Sequence, residues 1–189
     1  MTDISFLILI TVIILSITTL LITDSARIVL VFLGVLYLCS FFLTLQVWPL
    51  GLAAVHLLTG LLTVIIINVF CSKLTWQSNP PRIALDILLV VFVGVITFAF
   101  APQLTSYFTE SSQYLIIGFF LFIIGLLQAG TAQDTFRVLV SLLIFSLGFQ
   151  VIYAPLEGSA LVTALIALIQ IVLALVGSRM VIKNREEIQ

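Results

Sequence analysis

His56, Asp86, Gln150 and Gln170 are polar side chains inside long apolar stretches of the sequence, where proton transfer, ion passage or hydrogen bonding is the chemistry to consider. An imidazole or a carboxylate can hold and release a proton, whereas an amide can only donate and accept hydrogen bonds. A second set recurs along the chain. Asp24-Ser25-Ala26-Arg27-Ile28-Val29-Leu30 is related to Asp134-Thr135-Phe136-Arg137-Val138-Leu139-Val140, 110 residues later. Catalysis of the acyl-transfer type needs a nucleophile with a base beside it, and no such cluster is present. One histidine supplies one metal ligand, and Cys39 and Cys71 stand 32 residues apart without a Cys-x-x-Cys spacing. The expectation is therefore no catalytic, cofactor-binding or metal-ligating residue, and no disulfide framework.

Each polar position has a structural and a functional reading. Asp86 follows Asn79-Pro80-Pro81, a cap and first-turn prolines, so it falls in the first turn or so of a helix. The positive end of the helix dipole favours a carboxylate there, and Arg82, four residues earlier, is a same-face partner. This structural reading is preferred to a proton relay. His56 shares a helical stripe with Thr59, Gly60, Thr63 and Ile67, and Gln170 shares one with Thr163, Ala167, Ala174 and Gly177. Small and polar residues at that spacing let membrane helices approach closely and hydrogen-bond across the interface. Gly118 with Gly125, and Ser146 with Gln150, fit the same account. In the recurring strings, Asp24 and Asp134 read as helix caps, with Arg27 and Arg137 among lipid phosphates.

The elements that hold these residues are set by composition. Of 189 residues, 62% are hydrophobic and 8% charged, against roughly 25% charged in a soluble domain. A membrane helix needs about 20 apolar residues, which divides the chain into spans at 4–22, 26–46, 50–70, 83–101, 114–132, 135–154 and 159–181. The predicted class is an all-α polytopic bundle of about seven transmembrane helices. Trp48 and Trp76 lie beside span ends, where indoles anchor at the interface. The start Met1-Thr2-Asp3 lacks basic residues, so the first segment is expected to be a retained helix rather than a cleaved signal. Seven basic and eight acidic residues leave a net charge of −1, with no basic tract for nucleic acid.

With seven spans, Arg27, Lys73, Arg82, Arg137, Arg179, Lys183 and Arg185 all fall on one side, and Asp3, Glu110 and Glu157 on the other. The positive-inside rule then predicts an N-terminus outside and a C-terminus in the cytoplasm. The recurring strings admit coincidence or duplication of a three-helix unit. Under duplication, residues 1–70 and 114–189 are parallel repeats, and 71–113 holds a linking helix that restores the orientation.

The arrangement resembles the complex I subunit K family and its longer relative, the hydrogenase-4 component E type. The likeness is best over 115–181, where Gly125-Leu126-Leu127 leads to Asp134-Thr135-Phe136-Arg137 and a span ending in Arg179-Met180-Val181. The first 70 residues read as a more diverged copy. The resemblance implies a non-catalytic subunit of a respiratory or hydrogenase-related, ion-translocating assembly in a bacterial plasma membrane, beside antiporter-like membrane subunits and lipid. It also implies glutamates within the second and third family helices. Here Leu33–Leu36 and Leu143–Ser146 contain no acid and the last span offers Gln170, which argues against independent pumping. A transporter or channel component, with a polar path lined by His56, Asp86 and Gln170, is the alternative.

Overall fold

Lipid offers no partner to an open backbone N–H or C=O, so long apolar segments close their hydrogen bonds within themselves and become helices. The computed structural model describes residues 3–23, 25–71, 83–107 and 112–186, and among them every regular element is an α-helix. In chain order these are α1 (Asp3–Ile22), α2 (Ala26–Thr44), α3 (Leu50–Cys71), α4 (Ile83–Tyr107), α5 (Ser112–Thr131), α6 (Thr135–Tyr153) and α7 (Ala160–Glu186). The six from α2 to α7 are long and apolar enough to cross a bilayer, and α1 adds the shorter apolar stretch Phe6–Ile22. The molecule is an all-α polytopic membrane bundle. Hydroxyls along α1 are absorbed locally, with Thr11, Thr18 and Thr19 each donating to the carbonyl four residues back.

Two helices outrun the lengths expected from hydropathy. α4 was expected to end at 101 and instead continues through Pro102 to Tyr107. Proline removes one backbone hydrogen bond, but leaving the helix in an apolar setting would expose several unpaired groups, so continuation is the lower-cost solution. α7 continues past 181 to Glu186, because Lys, Arg and Glu are good helix formers that need no apolar cover. Trp48 lies in the α2–α3 connection, beside the span ends as expected, and is 4% exposed. Asp24, Lys73, Trp76, Arg82 and Glu110 lie outside the described residues.

α6 is the centre of the bundle and α4 its outer member: 61% of the α6 span is buried against 11% of the α4 span. α5 and α6 make the most extensive contact of any helix pair; α3 rests on α7 and α2, while α4 lies against α5 and α1. The α5–α6 seam is backbone on backbone. A Cβ at Gly118 would sit 2.8 Å from the Ile152 nitrogen, one at Gly125 2.9 Å from the Ser141 carbonyl, and one at Gly148 2.8 Å from the Phe122 Cα. Those distances leave no room for a side chain. Close approach of this kind matters because apolar burial gives membrane helices little reason to associate. Phe122 and Phe145 meet across the same seam, ring centroids 4.4 Å apart. Beside it, Leu33, Leu36 and Leu43 of α2 share a core with Leu143 and Leu147 of α6.

Candidate functional site

A polar cluster occupies the middle of the bundle where α2, α3, α6 and α7 converge. His56 of α3 is fully buried, and its Nε2 lies 2.7 Å from the Ser40 hydroxyl of α2. Ser40 Oγ also lies 2.8 Å from the Tyr37 carbonyl. A Ser40 hydroxyl that donates to the carbonyl accepts from a protonated Nε2, and one that donates to the imidazole meets an unprotonated Nε2. On the far side, Gln170 of α7 donates through Nε2 to Ser146 Oγ and Gln150 Oε1 of α6, each at 3.3 Å. The Gln150 amide also approaches the imidazole. By strict geometry, His56 Nδ1 has no closed hydrogen bond among the described residues, and neither do the Tyr37 hydroxyl or Gln170 Oε1.

The helical stripes read from the sequence supply these groups. On α3 the buried face is His56, Thr59, Gly60, Thr63 and Ile67; on α7 it includes Thr163, Gln170 and Ala174, with Ala167 and Gly177 half-buried. Gly60 makes space for Tyr37, whose ring occupies the position a Cβ would take. That ring tilts beside His56, centroids 5.9 Å apart.

A second set of polar contacts lies at one end of the bundle. Arg137, at the start of α6, reaches the carbonyl of Leu21 in the last turn of α1 at 3.4 Å, and its Nη1 stands 3.9 Å from Asp86 Oδ2 in the first turn of α4. A carbonyl near a helix C-terminus has no intrahelical partner and attracts a cation, while the start of α4 favours the carboxylate. One guanidinium thus ties three helices together. Arg137 reaches other helices while its side chain stays 28% exposed, and it is a cross-helix charge facing Asp86; the expected same-face partner Arg82 lies outside the described residues. Asp134 does stand at the N-cap of α6, with extended backbone, but its side chain makes no capping hydrogen bond.

The structure therefore brings His56, Gln150 and Gln170 together and sets Asp86 elsewhere. Gln150 is thirteen positions after Arg137 on α6, roughly 20 Å at the helical rise of 1.5 Å per residue. Asp86 and the His56–Gln170 cluster therefore stand at different depths of the bundle. Arg27, the counterpart of Arg137 in the recurring string, is exposed, so the two arginines have different surroundings; Asp24 is among the residues not described. Sequence reasoning missed Ser40 and Tyr37. One signal was available: the 110-residue period that aligns Arg27 with Arg137 also aligns Ser40 with Gln150.

Chemically, the cluster is a set of neutral donors and acceptors around one titratable imidazole. Its groups suit interhelical bonding or the binding of a small neutral molecule such as water. Comparison with protein-family models, curated proteins and solved structures finds no match to this chain.

Proposed function

We propose that the chain is a non-catalytic membrane subunit of a complex I-like, respiratory or hydrogenase-related ion-translocating assembly, held beside larger antiporter-like subunits. The observation that carries this reading is the composition of the central cluster. The partners of His56 are hydroxyls and amides, which carry no charge at neutral pH and serve to brace helices. The resemblance over 115–181 supplies the kind of assembly. The helix starts support the accompanying idea of duplication: α1, α2 and α3 begin at 3, 26 and 50, and α5, α6 and α7 at 112, 135 and 160, giving offsets of 109, 109 and 110. Mild detergent extraction followed by native electrophoresis and mass spectrometry tests the proposal. Larger polytopic subunits should co-migrate with the chain; recovery of the chain alone under conditions that preserve other respiratory complexes would overturn it.

A transporter or channel component is the second reading. It is favoured by the buried Nδ1 of His56, the Tyr37 hydroxyl and Gln170 Oε1, which lack closed hydrogen bonds among the described residues and could hold water. Proton flux through the purified chain in liposomes, abolished by His56→Ala, would support this reading over the first. Tight liposomes would eliminate it.

A further inference from the structure

We propose that the central cluster binds one water molecule, held jointly by the Tyr37 hydroxyl, His56 Nδ1 and Gln170 Oε1. A bound water serves either reading of the chain, bracing helices in the one and lying on a path in the other. Tyr37, His56 and Gln170 are each 0% exposed, and these three atoms have no closed hydrogen bond among the described residues. A buried polar atom without a partner has lost its hydration and gained nothing in exchange. The hydroxyls of Thr63, Thr97 and Ser178 are also unpaired, but a helical Ser or Thr can turn to a carbonyl one turn back, as Thr59 does to Val55 at 2.7 Å. The three atoms of the centre have no such local solution. The phenol and imidazole ends stand away from their own backbone, and the Gln170 carbonyl needs a donor where helical N–H groups are already engaged.

The three groups share one neighbourhood. The Tyr37 and His56 ring centroids are 5.9 Å apart, and Gln170 is linked to the imidazole through Gln150, which accepts from it at 3.3 Å and approaches His56. One water spans groups roughly 5–6 Å apart by two hydrogen bonds of about 2.8 Å. Its donors and acceptors also match. With the imidazole proton on Nε2, water donates to Nδ1 and Oε1 and accepts from the phenol. With the proton on Nδ1, water accepts from the imidazole and the phenol and donates to Oε1. Either tautomer gives about three bonds, the usual number for a buried water. None of the three groups is an acid, so a cation would arrive without a counter-charge. Tyr37 and His56 belong to α2 and α3 and Gln170 to α7, so the water joins helices far apart in the chain.

The test uses the full chain, with any co-purifying subunits, reconstituted in bilayers. His56 is the only histidine, so nitrogen-15 histidine labels one imidazole and one backbone nitrogen beside it. In solid-state NMR with magnetisation started on water, the Nδ1 signal should build up about threefold faster than the backbone nitrogen of the same residue, because dipolar transfer falls steeply beyond hydrogen-bond distance. Tyr37→Phe keeps the ring against Gly60 and deletes the hydroxyl. Removing a hydroxyl that has no partner would raise the unfolding midpoint, whereas removing one bonded to water should lower it and slow the Nδ1 build-up about twofold. An Nδ1 signal no faster than the backbone nitrogen overturns the proposal, and so does a raised midpoint for Tyr37→Phe. The wild-type measurement stands even if that variant does not fold. Ion-tight liposomes together with a fast Nδ1 signal would eliminate the transporter reading and keep the water as a brace.

Discussion

A buried amide such as Gln170 brings two N–H donors and a carbonyl acceptor into a setting without water, so its partners decide whether it helps or harms the fold. Here it holds Ser146 and Gln150 from the facing helix. Gln170→Leu keeps the bulk, removes both bonds and leaves the Gln150 carbonyl oxygen in apolar surroundings. Interhelical hydrogen bonds in membrane proteins average about 0.6 kcal/mol and reach roughly 1.7, so the variant should lose about 1–2 kcal/mol in thermal or SDS unfolding of the solubilised chain. An unchanged midpoint would show that the amide is dispensable. At this scale the sequence was legible where a residue's role depends on its own helix. His56 with Thr59, Gly60 and Thr63, and Gln170 with Thr163 and Ala174, announce a buried face by spacing alone. Pairings between distant segments were not legible. Nothing local connects Asp86 with Arg137, or His56 with Ser40, because those distances are set by how whole helices cross.

Helix positions followed from physics that acts within a segment, which is why α2, α3, α5 and α6 start within two residues of where hydropathy and turn residues put them. The ends of α4 and α7 were misjudged for the complementary reason. Pro102 and the charged tail of α7 look like stops on a propensity scale, yet a helix already formed in lipid loses more by stopping than by continuing. The tightest helix contact was half visible: Gly118 and Gly125 mark one side of the α5–α6 seam, while Gly148, their counterpart on α6, escaped notice. Gly148 and Gly94 separate two effects of glycine. Alanine favours an exposed helix interior over glycine by about 1 kcal/mol in water, and the space beside Gly94 is open. Gly94→Ala should therefore be neutral or slightly stabilising. Gly148→Ala forces a methyl against the backbone at Leu121 and Phe122 and should lower the unfolding temperature or prevent recovery of folded protein. Gly60→Leu should also destabilise, by displacing the Tyr37 ring inside this same chain. Equal melting of the Gly94 and Gly148 variants would show that the seam yields easily.

Over the whole molecule, the charge pattern predicts orientation. All seven basic residues share one side when seven helices cross, and positive charge resists translocation. In a background carrying Cys39→Ser and Cys71→Ser, a cysteine replacing Glu110 should react with an impermeant thiol reagent added outside cells, and one replacing Lys183 should not. The reverse labelling would refute the seven-span orientation. The glycine seam also bears on how such a bundle comes to exist. α5 and α6 are joined by three residues, 132–134, so their contact closes a short loop, while Gln170 belongs to α7, which is made after both. Chain synthesis runs from the N-terminus, and local contacts form before distant ones. The α5–α6 hairpin should therefore assemble before α7 exists, leaving Ser146 and Gln150 waiting for α7. A chain stopped after Tyr153, with cysteines replacing Phe122 and Phe145, should already cross-link in the membrane, and the amide bonds of the centre would form only after that seam.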